Sequence, residues 1–181
     1  MCSLLFIGCE KMMIYLKKTL VITKHYYLLP ASTTTGANIF ACYVDDKAYI
    51  ANNKNIVAYN QYYKGRYGIS INGKWSNSDY ISTISLESNT IEEVQEGMTY
   101  QFGAVSPASS ELDYYNGAIF FRNFDQSGTW VTTSEVQKGE LKITKHELFD
   151  KILSGIFWLD VKQPDCKIIQ IRDGRFDVTY N

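Results

Sequence analysis

His25 and His146 are the only two imidazoles in the chain. Any preformed Ser-His-Asp or Cys-His pair would have to use one of them. His25 lies in an N-terminal leader, and His146 sits in a Lys-His-Glu run that reads as a solvated turn. The sequence holds no Gly-x-Ser-x-Gly, no His-Glu-x-x-His, no P-loop and no dinucleotide fingerprint. The most prominent polar set is Asp173, Arg175 and Asp177. In a regular strand, residues two apart share a face, so these three would project together, opposite Phe176 and Val178. One reading is a small polar site for a cation or a sugar. Asp173 and Asp177 could then act as the carboxylate pair of a glycan hydrolase, whose two groups stand ~5–10 Å apart across a cleft. The other reading is an acid–base–acid row pairing across a sheet, each pair contributing roughly 0.2–1 kcal/mol.

Tyr59, Tyr62, Tyr63, Tyr67 and Trp75 form an aromatic cluster. Such platforms bind sugars and apolar partners, and they also serve as cross-strand packing. Asp125-Gln126-Ser127-Gly128 has the look of a calcium loop but lacks the downstream bidentate Glu, and a polar hairpin turn explains it as well. Cys42 and Cys166 have no supporting His pair and fall short of the four ligands of a zinc site. No metal site and no cofactor is expected.

These residues need elements to hold them. The chain has 181 residues, 45% hydrophobic and 20% charged, which fits one domain plus a tail. The 14 Tyr and 9 Phe favour the pleated, half-buried surface of a sheet. The net charge is −1, without the clustered basic excess of a nucleic-acid binder. No apolar run approaches the ~18 residues of a membrane-spanning helix.

Period-two alternation begins after Ala31-Ser32-Thr33-Thr34-Thr35-Gly36. It predicts strands around Phe40 and Cys42, around Ala48 and Ile50, and over 55–63. Further strands are predicted through Tyr80, Ser82, Ile84 and Leu86, and over 98–105, 118–121, 129–133, 140–144 and 152–161. The last predicted strand begins at Lys167. Asp45-Asp46 reads as a two-residue turn, and Asn72-Gly73, the preferred type I′ pair, as a hairpin. Thr90 with Glu93 suggests one short helical turn over 89–94. Asp173-Gly174 breaks the alternation of Ile169 and Ile171 and marks a bulge. The expectation is an all-β, antiparallel sandwich or closed barrel of about ten short strands. Residues 1–34 form a leader and tether, and residues 35–181 a single domain.

Leu4-Leu5-Phe6-Ile7-Gly8-Cys9 is a short apolar run ending in Gly-Cys. It resembles the tail of a bacterial lipoprotein signal peptide, with Cys9 as the lipidated residue. Export would place Cys42 and Cys166 in an oxidising compartment. A disulfide between them would close a long loop and stabilise by about 4–5 kcal/mol in the chain-entropy model. Two separate buried thiols are the alternative.

Two stretches carry a wider likeness. One runs from Leu29 to Cys42, followed by Asp45 and Lys47. The other is Leu153-Ser154-Gly155-Ile156-Phe157 with Ile171-Arg172-Asp173-Gly174-Arg175-Phe176-Asp177-Val178. With these the chain resembles an uncharacterised family of Bacteroidetes lipoproteins and secreted proteins. The resemblance implies export, lipid anchoring at Cys9 and a β-rich fold. It implies no activity.

The functional expectation is therefore a non-enzymatic domain of the cell envelope, binding or structural, held at the membrane through its lipid anchor alone. Its partner would be an envelope protein, a glycan or a small apolar ligand. A glycan hydrolase is one alternative. A lipocalin-like carrier is another, and that would require a closed barrel with an empty apolar interior.

Overall fold

Phe40, Cys42 and Val44 are buried in alternation with residues that face outward, and the same rhythm recurs in Ile69 and Ile71, Ile84 and Leu86, and Leu141 and Ile143. These strands thus each carry an apolar face, and two sheets bury those faces against each other. The computed structural model describes residues 28–76, 81–103, 115–123, 131–133, 135–162 and 166–181. Among them are eleven strands: β1 (Ile39–Val44), β2 (Lys47–Ile50), β3 (Ile56–Tyr63), β4 (Arg66–Ser76), β5 (Ile81–Thr90), β6 (Thr99–Gly103), β7 (Tyr115–Asn123), β8 (Val131–Thr133), β9 (Glu135–Glu147), β10 (Ile152–Lys162) and β11 (Ile168–Thr179). One sheet has the order β2-β1-β11-β10-β9-β6 and the other β3-β4-β5-β7-β8. Every pairing is antiparallel.

The fold is all-β, as the alternation predicts, and it is the sandwich rather than the closed barrel: both sheets are open. The apolar carrier loses its required geometry. One cluster of side chains from both sheets fills the space between them, including Phe40, Phe157 and Phe176 of one and Ile71, Ile84 and Leu86 of the other.

The turns follow local chemistry. Asp45 and Asp46 both take positive φ, at 48° and 64°, which is the type I′ geometry that short Asp side chains tolerate. Arg172-Asp173 stands opposite the single Trp158, between the pairs Phe157↔Gly174 and Leu159↔Ile171, so β11 bulges at the predicted position. Asp173 adopts φ 51° there.

Four expectations are corrected. Asn72-Gly73 makes no hairpin: both residues lie inside β4, opposite Val57 and Ile56. The β3–β4 turn is Lys64-Gly65, with φ of 50° and 81°. Gly73 answers to packing instead, since a Cβ there would stand 2.3 Å from the Phe40 ring. The helical turn over 89–94 does not form. Thr90 ends β5, and its hydroxyl donates to the carbonyl of Glu92 at 2.8 Å, not to an N-terminal amide of a helix.

The Cys42–Cys166 disulfide is likewise absent, and both thiols are free. Cys42 is in the core and stands opposite Asp173-Gly174, whereas Cys166 is exposed before β11 begins. Ile168 to Asp173 alone spans about 16 Å of strand, far beyond the ~7 Å reach of a disulfide between Cα atoms. Burial pushes the Cys42 thiol pKa up, which keeps it neutral. Finally, residues from Pro30 onward are bonded to β11 (below), so the fold begins inside the expected tether. Cys9 and the loop 125–128 lie outside the described residues.

Replacing Gly73 by Ala is expected to destabilise the domain by about 1–3 kcal/mol, the usual cost of overpacking a core. Urea unfolding of the variant against the wild type measures this directly.

Candidate functional site

On β3, Tyr59, Gln61 and Tyr63 alternate with the buried Ala58 and so point away from the core. Across the ladder Tyr59 faces Ser70, Gln61 faces Gly68 and Tyr63 faces Arg66. On the other side of β4, Ser70 faces Glu87 and Gly68 faces Asn89. These residues line a groove of about 480 Å³ on the outer face of the five-stranded sheet. Gly68 opens its floor: the nearest atoms to a Cβ there would be backbone oxygens of Ser88 and Gln61, at 3.7 and 3.9 Å. Tyr59 and Tyr63 form one wall and are 44% and 66% exposed. Glu87 and Asn89 form the other. The groove therefore combines two aromatic faces with a carboxylate, two carboxamides and a guanidinium.

The rest of the predicted aromatic cluster is elsewhere. Tyr62 and Tyr67 belong to the opposite side of their strands and pack on each other at 4.8 Å between ring centroids. Trp75 is half-buried against the core, and its backbone N–H donates to the Tyr49 hydroxyl at 3.1 Å. Period-two parity already puts Tyr59 and Tyr63 on one face and Tyr62 on the other. Gly68, Glu87 and Asn89 became visible only through the pairing register.

Asp173, Arg175 and Asp177 are also separated. Asp177 is 1% exposed, and both of its carboxylate oxygens are occupied. Oδ1 accepts from the Gly36 N–H at 2.8 Å and the Ser154 hydroxyl at 2.7 Å. Oδ2 accepts from the Thr33 hydroxyl at 2.6 Å and from the N–H groups of Thr35 and Ala37 at 2.9 and 3.0 Å. Burial alone would raise its pKa. The bonds from Thr33, Ala37, Ser154 and Thr35 outweigh that and hold it at about 2. Arg175 extends the clamp, donating to the carbonyl of Pro30 at 3.2 Å. Residues 30–37 and the strands β10 and β11 thus grip each other. A carboxylate with five donors on it serves neither as nucleophile nor as base, so a hydrolase built on Asp173 and Asp177 loses one of its two groups.

Asp173 is exposed on its bulge and, with Arg175, lines a second outer groove of about 410 Å³ on the six-stranded sheet. Trp158 stands in this groove with the Arg172 guanidinium 5.5 Å from its ring centroid. Arg172 also pairs with Asp160, which Lys138 approaches at 3.4 Å. Of the two guanidinium groups in this groove, Arg172 is paired with Asp160, and Arg175 donates to the backbone carbonyls of Asp173 and of Pro30 in the N-terminal strap.

His146 is committed to structure. Its Nδ1 lies 2.8 Å from the carbonyl of Val94 and therefore carries the proton. Nε2 then accepts, with Asn60 Nδ2 at 3.0 Å and the Tyr180 hydroxyl at 3.1 Å. Both ring nitrogens are engaged with no nucleophile among their partners. Among the described residues, no group of three potential ligands could hold a metal ion.

The chain matches no protein family, no curated protein and no solved structure. Its site is read from its own residues.

Asp177→Asn would place an amide among five donors. The expected loss is about 2–4 kcal/mol of folding stability, in the range for breaking a buried charge-assisted network. Because the folded pKa lies below the unfolded value of 3.8, the wild-type contribution is fully present above that value and is lost as pH falls through about 2. Chemical denaturation of both proteins between pH 2 and 6 should show a pH-dependent component in the wild type that the variant lacks.

Proposed function

We propose that this domain is a non-enzymatic carbohydrate-binding domain of the cell envelope, and that the outer groove of the five-stranded sheet is its binding site. The observation that carries the reading is the placement of Tyr59 and Tyr63 on one face, across an open Gly68 floor from Glu87 and Asn89. A sugar ring presents C–H groups on its faces and hydroxyls around its edge. Exposed aromatic rings cover the faces, and planar carboxylate and carboxamide groups pair with the hydroxyls. Tyr59 and Tyr63 are four residues apart, or about 13 Å along a strand, so the groove is long enough for more than one sugar unit. An open, sheet-floored groove also suits a chain that enters and leaves at both ends, unlike the enclosed apolar pocket of a carrier.

The envelope part of the reading rests on the Gly8-Cys9 leader and on the resemblance to exported lipoproteins. The non-enzymatic part rests on the engagement of Asp177 and His146.

The test is titration calorimetry against soluble fragments of bacterial envelope and host polysaccharides. Tyr59→Ala and Tyr63→Ala should each weaken binding by about tenfold or more, equivalent to about 1.4 kcal/mol. Asp173→Asn should leave it unchanged. Binding that survives both tyrosine variants, or release of reducing sugar by the wild type, contradicts the proposal.

A further inference from the structure

Glu87 stands alone among the shielded carboxylates of the described residues. Those that are buried or half-buried belong to Glu87, Glu140, Glu147, Asp160 and Asp177. The others are answered. Asp177 holds its donors from the strap and Ser154, and Asp160 has the Arg172 guanidinium and the Lys138 ammonium. Glu140 accepts from the Gln101 carboxamide at 2.9 Å. Glu147 accepts from the N–H groups of Phe149 and Asp150 at 2.9 and 3.4 Å. Glu87 has no hydrogen bond or ion pair to any described residue.

Its neighbours in the sheet supply no charge. Across the ladders Glu87 faces Ser70 on β4 and Gly117 on β7. Two positions away on its own strand are Ser85 and Asn89, on the same outer face. Ser70 and Ser85 are both bonded to Asn72, whose Nδ2 donates to Ser70 Oγ at 3.0 Å and whose Oδ1 accepts from the Ser85 hydroxyl. The cation lining the groove, Arg66, is opposite Tyr63 at the turn end. It is four residues, or about 13 Å, along β4 from Ser70. Glu87 therefore meets the groove as an uncompensated anion across from an aromatic wall.

A ligand that seats here strips water from that carboxylate, and the ligand itself must replace what is lost. A neutral hydroxyl returns a hydrogen bond and leaves the charge unmatched. An ammonium returns a charge-assisted bond, about twice as strong as a neutral one. A ligand carboxylate or phosphate is repelled. We propose that the groove selects glycans whose sugars carry a free, protonated amino group, and that Glu87 makes the selection. The inference rests on the carbohydrate reading above and narrows it to one class of sugar. The row Tyr59, Ser70, Glu87 sets the spacing. Its ends are two strands apart, about 10 Å, a span that holds one sugar ring with a C–H face against Tyr59 and an amino substituent towards Glu87. An ammonium on the ring itself arrives already positioned, whereas a lysine ammonium must be fixed at the end of a flexible four-carbon stem. The carboxamides of Gln61 and Asn89, each both donor and acceptor, are left for the hydroxyls.

Calorimetry of the full chain with the hexamers of chitosan and chitin tests this, since the two share one backbone and differ in N-acetylation. A mildly acidic buffer keeps the amines protonated, and a hexa-lysine peptide is the third titrant. The chitosan hexamer should bind at least about tenfold more tightly than the chitin hexamer, and added salt should shrink that margin. Glu87→Gln should bring the two hexamers within about threefold of each other. Tyr59→Ala should weaken both. Equal binding of the two hexamers by the wild type overturns the inference and leaves the carbohydrate reading in place, provided Tyr59→Ala still weakens them. A preference that persists in Glu87→Gln overturns it as well. Hexa-lysine binding as tight as that of the chitosan hexamer overturns it in favour of a basic peptide. If neither hexamer binds, the inference falls, and the carbohydrate reading is then decided separately by the wider polysaccharide panel and the two tyrosine variants.

Discussion

The carboxylate of Asp177 joins the pieces of this fold that lie farthest apart in sequence. It is buried, so it must be either neutralised or fully bonded. It is fully bonded, by three backbone amides and a hydroxyl from residues 33–37 and by the Ser154 hydroxyl from β10. The polypeptide entering the domain is thereby strapped across the outer face of the six-stranded sheet before it turns back at Gly36 and Asn38, both at positive φ, to become β1. The strap has a functional consequence. Two members of the polar row that stands out in the sequence, Asp177 and Arg175, are engaged in holding the strap, and the outer face of the other sheet carries the aromatic groove.

Much of the architecture is legible in the sequence because sheet structure follows from a simple period. Ile84 and Leu86 alternate with Thr83, Ser85 and Glu87, and Phe40 and Cys42 and Ile169 and Ile171 keep the same period of two; each set becomes an inward face. Asp45-Asp46 forms the turn its side chains allow, and Asp173-Gly174 bulges where the alternation breaks. Asn72-Gly73 misleads for a physical reason. The glycine is needed because an aromatic ring from the facing sheet lies against its Cα, and no local pattern distinguishes that demand from the demand of a turn. The actual turn, Lys64-Gly65, is flanked by tyrosines whose aromatic character draws attention away from it.

The groove was half legible. The tyrosines of β3 stand out by type, but a residue list cannot separate those on one face from those on the other without a strand assignment. Glu87 and Asn89 lie more than twenty positions downstream, and only the register of β4 against β5 brings them opposite Ser70 and Gly68. Asp177 illustrates the converse. Its chemistry was visible, yet its donors come from a threonine-rich segment whose composition reads as a linker, and backbone amides carry no signature in a sequence. The same applies to His146, whose partners are a carbonyl, an amide side chain and a phenol from three separate places.

The central claim is that ligand meets this domain on the outer face of β3, β4 and β5. Chemical-shift mapping of the ¹⁵N-labelled protein, titrated with a soluble oligosaccharide that binds it, addresses that most directly. The account predicts that the perturbed amides cluster at Tyr59, Gln61, Gly68 and Asn89, with the strap amides of Thr35, Gly36 and Ala37 unmoved. Perturbations centred on Asp173 and Arg175, or spread through the strap, would contradict it.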